Sequence, residues 1–209
     1  MPARAGELPA DACALSCICG SLRGYVLQPQ LVNRGLCYCR DCQAFARYLG
    51  NVGEVMNAQG GTDILQTMPA RVVFTAGRDK LACMRLTEHG LIRWYASCCR
   101  TAVGNTAADY RKYFVGLIHT CLHAPGAALD VAYGPVRMHV NTQSALGTPK
   151  PRQVLAVRGI ARLGHGMLRA WIQGTYRDTP FFDAASGRPV VDPIVLTAAQ
   201  REQVRIPLA

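Results

Sequence analysis

Three cysteines crowded into six residues constrain this chain more than any other feature. Cys37, Cys39 and Cys42 follow one another at spacings of two and three residues. Thiolates at such spacings are typical of a shared soft metal ion, and zinc takes thiolate sulfur in tetrahedral geometry. Three protein ligands leave one coordination position open, which is the arrangement of catalytic rather than structural zinc sites. We therefore predict a reactive zinc site at this cluster.

Composition indicates where such thiols can stay reduced. The 209 residues include ten cysteines, and no apolar run is as long as a membrane-spanning helix. The first 15 residues lack the basic flank and apolar block of a secretory leader. We therefore expect a cytoplasmic protein without membrane association, in which cysteines serve as metal ligands rather than as a disulfide scaffold.

The formal net charge of +10 restricts the classes of partner. The basic excess lies mostly in the C-terminal half, where it could attract nucleic acid, anionic lipid or a small anionic substrate. The chain has no Lys/Arg block and no interleaving of basic with aromatic residues, which disfavours nucleic acid as a partner.

Short strand-sized runs dominate the pattern and predict a mainly β fold with α additions. A helix is predicted over 42–49, with Asp41 as its N-cap and Gly50 as its stop, followed by a loop over 50–61. Thr197 and Gln200 have the spacing of a capping box that opens a short last helix. The predicted strands are 21–27, 34–39, 63–68, 71–75, 81–86, 91–96, 114–122 and 136–140.

The longest predicted helix covers 152–176 and has two contrasting faces. One face is apolar at helical spacing, and it comprises Val157, Ile160, Met167, Leu168, Trp171 and Ile172. The other carries a basic stripe of Arg158, Arg162, His165 and Arg169. A stripe of this kind is typical of a solvated helix face, and an anion-binding or partner-binding face is the alternative.

A second set of cysteines is separated along the chain but is grouped by motif. Cys17 and Cys19 form a C-x-C pair, and Cys98 and Cys99 are adjacent. His119, Cys121 and His123 form a further compact group, for which hydrogen-bonded structural histidines are expected rather than ligands or catalytic acids. Two metal sites are therefore predicted, one at each cysteine set.

The order of these motifs resembles the glutathione-dependent formaldehyde-activating enzyme family. The matching motifs are C-x-C-G at 17–20, C-x-C-x-x-C at 37–42 and Cys-Cys-Arg-Thr at 98–101, and the resemblance covers about residues 13–125. It implies a β-tent (Mss4-like) zinc-binding fold plus a C-terminal helical segment. The expected organisation is a zinc-binding domain over 13–147, with a helical extension over 148–209 packed on it.

The resemblance also implies the ligands and the activity. A structural zinc would be held by Cys17, Cys19 and one or both of Cys98 and Cys99, and a second, reactive zinc by the cluster at 37–42. The implied activity is that of a carbon–sulfur lyase, similar to S-(hydroxymethyl)glutathione synthase, acting on a small thiol and an aldehyde-type substrate. The alternative is a non-catalytic, zinc-stabilised binding module that uses its basic C-terminal helix.

The late motif departs from the family pattern, which is usually C-x-x-C-G-T. Ala96 occupies the place of the first cysteine, and Arg100 replaces a glycine that tolerates left-handed backbone. Neighbouring strand residues point to opposite faces, so Cys98 and Cys99 can share one zinc only if the chain turns there. Otherwise three thiolates remain, and Cys13 is the candidate for a borrowed ligand.

Overall fold

The computed structural model of the chain describes residues 8–123 and 129–205. Residues 1–7, 124–128 and 206–209 lie outside this description. They belong, respectively, to the stretch assessed for a secretory leader, to the predicted first domain and to the predicted C-terminal extension. The described chain is mainly β with several helices, as the strand-sized runs predict.

Strands alternate with short turns through the first two thirds of the chain. The strands are β1 (Ala12–Ser16), β2 (Arg23–Leu27), β3 (Asn33–Cys37), β4 (Thr62–Thr67), β5 (Val72–Ala76), β6 (Leu81–Arg85), β7 (Ile92–Ala96), β8 (Ala102–Thr106), β9 (Val115–Ile118), β10 (Leu122–His123), β11 (Met138–Val140) and β12 (Ile194–Val195). The helices are α1 (Arg40–Leu49), α2 (Val52–Val55), α3 (Leu129–Tyr133), α4 (Val157–Gln173) and α5 (Ala198–Arg205).

The strands form two sheets. The smaller has the order β10-β1-β2-β5, and the larger has the order β11-β3-β4-β9-β8-β7-β6-β12. All pairings in the two sheets are antiparallel except the two outermost pairs of the larger sheet, β11 with β3 and β12 with β6, which are parallel. Segments distant in sequence therefore close both edges of the larger sheet.

Both faces of the larger sheet are covered, so the fold has three layers. One face packs on the smaller sheet around buried side chains that include Leu15, Val26, Trp94 and Leu117. The other face packs on helices, and Phe45 of α1 lies in this second cluster. Because helices and a sheet cover opposite faces, central strands such as β7 are buried along their whole length.

Three predicted segments need correction, and the first is the helix predicted over 152–176, which spans Val157–Gln173. The loop predicted over 50–61 contains the short helix Val52–Val55. The single strand predicted over 114–122 is interrupted by a 3₁₀ turn at His119–Cys121, which separates β9 from β10. The turn takes the chain from the larger sheet to the smaller one, and a continuous strand could not do this.

The C-terminal part contributes to both cores. Phe181 is fully buried, and its ring centroid lies 5.1 Å from that of Trp94. The predicted capping box is confirmed, because the Thr197 N–H donates to Gln200 Oε1 at 2.9 Å and the Gln200 N–H donates to Thr197 Oγ1 at 3.3 Å. Helix α5, which follows this box, packs against α1.

Helix α4 is oriented differently from what its apolar stripe suggests. Val157, Leu168 and Trp171 are exposed, and Trp171 retains 62% of its accessible surface. The helix instead approaches the sheet through its small residues. A Cβ atom on Gly159 would lie 2.2 Å from Asn33 Oδ1, so this contact requires glycine. Within 8–123 and 129–205, no helix has both the length and the apolar character needed to cross a bilayer.

Candidate metal centres

The first cysteine group joins residues that are about eighty positions apart in sequence. The Sγ atoms of Cys17, Cys19, Cys98 and Cys99 all lie within 4.8 Å of one another. The separation is 3.5 Å for Cys17–Cys19, 3.4 Å for Cys19–Cys98, 3.7 Å for Cys17–Cys98 and 3.8 Å for Cys98–Cys99. Sulfur ligands 2.3 Å from a tetrahedral zinc would be about 3.8 Å apart. The four thiols therefore fit a tetrahedral metal ion.

Two tight turns position these four thiols. Cys17 and Cys19 lie in the turn between β1 and β2, where Gly20 adopts φ +72°. The Leu22 N–H donates to Cys17 Sγ at 3.3 Å, and the Ile18 N–H donates to Thr101 Oγ1 at 3.0 Å. Burial raises the pKa of the Cys17 thiol, and the Leu22 N–H opposes this by favouring the thiolate, which is the form that binds metal.

The adjacent cysteines both enter the group because the chain turns at this point. The Arg100 N–H donates to the Ala96 oxygen at 2.8 Å, which closes a turn between β7 and β8. Arg100 adopts φ +58°, a left-handed conformation that glycine adopts more readily than other residues do. Cys13 lies outside the group and packs against the core between the sheets. Of the two alternatives raised by the sequence, the structure matches the one in which a turn brings Cys98 and Cys99 into the same group, and not the one in which Cys13 supplies a ligand.

Arg100 also connects this turn to helix α1. Its guanidinium donates to the Tyr48 backbone oxygen and lies 5.1 Å from the centroid of the Tyr48 ring. Tyr48 is in the last turn of α1, and Cys42 is in the first turn. The two cysteine groups are thus placed at opposite ends of one helix.

The second group lies where β3 meets α1. Cys37 is the last residue of the strand, Cys39 is the N-cap of the helix, and Cys42 is in its first turn. Their Sγ atoms lie within 4.8 Å of one another. The Cys42 N–H donates to Cys39 Sγ at 3.3 Å, so a thiol caps the helix. The prediction that Asp41 is the cap is wrong, because α1 begins at Arg40.

Two donors that the sequence analysis did not single out serve this group. The Arg93 Nη1 lies 3.8 Å from Cys42 Sγ, and the Asn141 Nδ2 lies 3.5 Å from Cys37 Sγ. Arg93 is only 2% exposed. Its Nη1 also donates to Asn105 Oδ1 at 3.1 Å, and Asn105 faces it from the neighbouring strand. A buried guanidinium at this distance stabilises negative charge on the sulfurs.

Ionisation of one thiol of this group disfavours ionisation of its neighbours. Hydrogen bonds from Cys39 and Cys42 hold the pKa of the Cys37 thiol far below its usual value. The pKa of Cys42 is raised well above its usual value, first by its hydrogen bonds to Cys37 and Cys39 and then by burial. One thiolate is thus favoured at the expense of its neighbours. A divalent ion removes this competition, since it binds all three sulfurs as thiolates.

The second group has three ligands where the first has four, and it is the less exposed of the two, because Cys19 and Cys98 of the first group are exposed. In the part of the chain that the structure describes, no fourth His, Cys, Asp or Glu joins it at the same spacing. Cys42 is buried, whereas Cys37 and Cys39 are only partly buried. A small molecule could therefore approach the sulfurs from the side of Cys37 and Cys39.

A buried hydroxyl lies beside the second group. Thr62 pairs directly with Cys37 across β3 and β4, so the two side chains project from the same face. Its Oγ1 is buried and has no hydrogen-bond partner within the described residues. Native structures rarely leave such a group unpaired, and the exceptions are often functional.

Replacement of Thr62 by valine tests this hydroxyl. Valine has a similar shape and lacks the unpaired oxygen, so we expect the free energy of unfolding to rise by about 1 kcal/mol in denaturant titrations. If the hydroxyl binds a ligand at the second group, the same variant should lose ligand affinity while it gains stability. A loss of stability instead would show that Thr62 Oγ1 has a partner in the folded protein.

The histidine group does not converge on a common point. Cys121 is buried and its thiol donates to backbone oxygens, including that of Ile118 at 3.2 Å. His123 Nε2 lies 3.2 Å from the Ser16 oxygen, whereas His119 Nδ1 is buried and has no partner in the described chain. The expectation of hydrogen-bonded structural histidines thus describes His123 and not His119.

Comparison with known proteins assigns the chain to a family. Residues 10–193 match DUF6151, a family of unknown function. The chain belongs to this family. The matched region of the DUF6151 chain contains all seven cysteines of the two groups, together with Arg93 and Thr62. A search of curated proteins finds no match.

Proposed function

We propose that this DUF6151 chain is a zinc protein of the β-tent (Mss4-like) fold that acts on a thiol adduct of a small aldehyde. In this proposal the four thiols of the first group hold a structural zinc, and Cys37, Cys39 and Cys42 hold a reactive one. The proposed reaction is inferred from the resemblance of the cysteine motifs to those of the glutathione-dependent formaldehyde-activating enzyme family.

The observation that carries the proposal is the difference between the two groups. Four convergent thiols complete a tetrahedral site, whereas three leave one position for an external ligand. The three-thiol group also has an unpaired buried hydroxyl, Thr62 Oγ1, next to it. A purely structural site has no need of an open position or of this hydroxyl.

Bound zinc would lower the pKa of an incoming thiol, so that this thiol is a thiolate at neutral pH. Hydrogen-bond donors of the protein then determine how much net negative charge remains on the three sulfurs. Arg93 and Asn141 each lie near one cysteine sulfur, and both reduce the negative charge that three thiolates accumulate. Without them, the excess negative charge would repel an anionic sulfur.

The reaction implied is addition of a thiol to an aldehyde and its reverse. The sulfur forms a bond to the carbonyl carbon, and the proton lost by the thiol ends on the carbonyl oxygen, so neither partner is oxidised. Thr62 pairs with Cys37 across the sheet, its Oγ1 has no hydrogen-bond partner within the described residues, and it can donate a hydrogen bond to the oxygen on which charge develops.

The experiment is a thiol-dependent aldehyde assay on zinc-loaded protein. Formaldehyde and glutathione are mixed, and formation or breakdown of the adduct is followed with wild-type protein and with Cys37→Ser. We expect Cys37→Ser to lose at least about a hundredfold in rate, since it removes a ligand from the open site. Cys13→Ser is the matched control, because Cys13 lies outside both groups, and it should keep the wild-type rate.

Other thiols and small aldehydes are tested in the same assay to define the substrate. Acceleration that requires a thiol and disappears in Cys37→Ser supports the proposal. If no thiol and aldehyde pair reacts faster with wild-type protein than in buffer, the lyase proposal is wrong. The remaining candidate is then the non-catalytic, zinc-stabilised binding module.

A further inference from the structure

A groove runs between helix α4 and the sheet, away from the cysteine groups. Its main cavity has a volume of about 450 Å³. The helix contributes Arg162, His165 and Arg169 to one wall, and Arg71 and Tyr113 face them from the body of the protein. None of the cysteines of either group lines this cavity. The groove is therefore a separate feature from the proposed zinc sites.

Two glycines one heptad apart position the helix over the groove. A Cβ atom on Gly159 would lie 2.2 Å from Asn33 Oδ1, and one on Gly166 would lie 2.9 Å from Met68 Cε. A Cβ atom at either position would require the Asn33 or Met68 side chain to shift, so the two glycines favour this close approach of α4 to the body. As a result, the basic stripe on the flank of α4 borders the groove, whereas the apolar stripe faces solvent.

The groove is positively charged and has no internal compensation. No Asp or Glu within residues 8–123 and 129–205 lines the main cavity. In the described parts of the chain, Arg71, Arg162 and Arg169 form no ion pair with a carboxylate, and Arg71 donates only to Thr67 Oγ1, at 3.4 Å. The nearby Asp178 lines a different cavity. Like charges brought together in this way disfavour the empty state and favour an anion.

Burial makes the charge on Arg71 more costly. The pKa of Arg71 is lowered mainly because the side chain is partly desolvated, and the positive charge of Arg162 acts in the same direction. An anion bound between the two guanidinium groups would offset both effects, because its negative charge stabilises both cations. The positive surface also continues beyond Arg162 into a neighbouring cavity of about 400 Å³, which Arg137 and Arg158 line.

We propose that this groove binds a small organic phosphate with at least two negative charges, such as a compound with a diphosphate or triphosphate group. A phosphate offers oxygens in several directions and can accept from Arg71, Arg162 and Arg169 together, whereas a carboxylate offers two oxygens in one plane. The floor of the cavity is apolar at Leu31, Met68 and Ala70, and it suits the organic part of the ligand.

Calorimetric titration of the full-length, zinc-loaded protein with pyrophosphate and with a nucleoside triphosphate tests the proposal. Wild-type protein should bind both at low ionic strength, and more weakly as salt is added. Arg71→Gln and Arg162→Gln should each weaken binding by at least about tenfold, since each removes a charge-assisted hydrogen bond. Arg23→Gln is the control, because it removes the same charge from an exposed position on β2 in the other sheet, and it should bind as wild type does.

Thermal unfolding of each variant shows that a loss of binding is not a loss of fold. The proposal is wrong if wild-type protein binds neither compound, or if Arg23→Gln weakens binding as much as Arg71→Gln does. It is also wrong if a single-stranded oligonucleotide binds with an affinity that rises with length and pyrophosphate does not compete. In that case the groove is a nucleic-acid surface.

Discussion

Replacing Cys17 with serine is expected to unfold the protein at ambient temperature and to release one metal ion. Cys17 is buried between the two sheets, and its three partner thiols come from both of them through the turns after β1 and β7. A structural zinc contributes on the order of 10 kcal/mol to folding. The whole stability of a domain is about 5–15 kcal/mol, so the variant retains little or none of it.

Circular dichroism and metal analysis of Cys17→Ser check this result. Cys13→Ser is the control, because Cys13 lies on the preceding strand β1 and outside the group. This variant should melt within a few degrees of wild type. A Cys17→Ser protein that keeps the wild-type melting temperature would show that no metal stabilises the first group.

Replacing Arg34 with methionine is expected to lower the free energy of unfolding by about 3–5 kcal/mol. Arg34 is buried in β3, and it pairs with Asp63 at 2.7 Å and with Asp130 at 2.6 Å. It also donates to the Gly134 oxygen at 2.8 Å. Methionine fills a similar space but leaves the Asp63 carboxylate, of which 13% is exposed, without its partner.

Denaturant titration of Arg34→Met measures the loss, and Asp130→Asn is the comparison. The Asp130 side chain is 65% exposed and solvent screens its pairing, so this variant should lose less than about 1 kcal/mol. Equal losses in the two variants would contradict the assignment of the stabilising contact to the buried Arg34–Asp63 pair.

Local pattern was sufficient to predict most strands but not how they are arranged. Segments such as 81–86 and 91–96 were predicted to within one residue at each end, because alternation and turn residues are properties of neighbours in sequence. Strands β1, β8 and β12 were missed, and in β8 Gly104 weakens the strand pattern. A Cβ atom on Gly104 would lie 2.8 Å from the Gly116 oxygen, so the pairing of β8 with β9 requires this glycine.

The candidate sites could likewise be predicted only where their residues are close together in sequence. The cysteine spacing was enough to predict the three-thiol group, because its members lie on one strand end and one helix start. Arg93 was missed, although an arginine within the apolar strand Ile92–Ala96 is a detectable signal. Its role depends on α1 covering that face of the sheet, and this is a tertiary contact that no local pattern contains.

Metal content tests the central claim of two unequal sites most directly. Protein purified under reducing conditions and analysed by native mass spectrometry should hold two zinc ions per chain in the wild type. Cys37→Ser should hold one and should melt close to the wild-type temperature, because its open site contributes less to the fold than the closed one. A wild-type chain with fewer than two metal ions, or a Cys37→Ser chain that unfolds, would contradict the account.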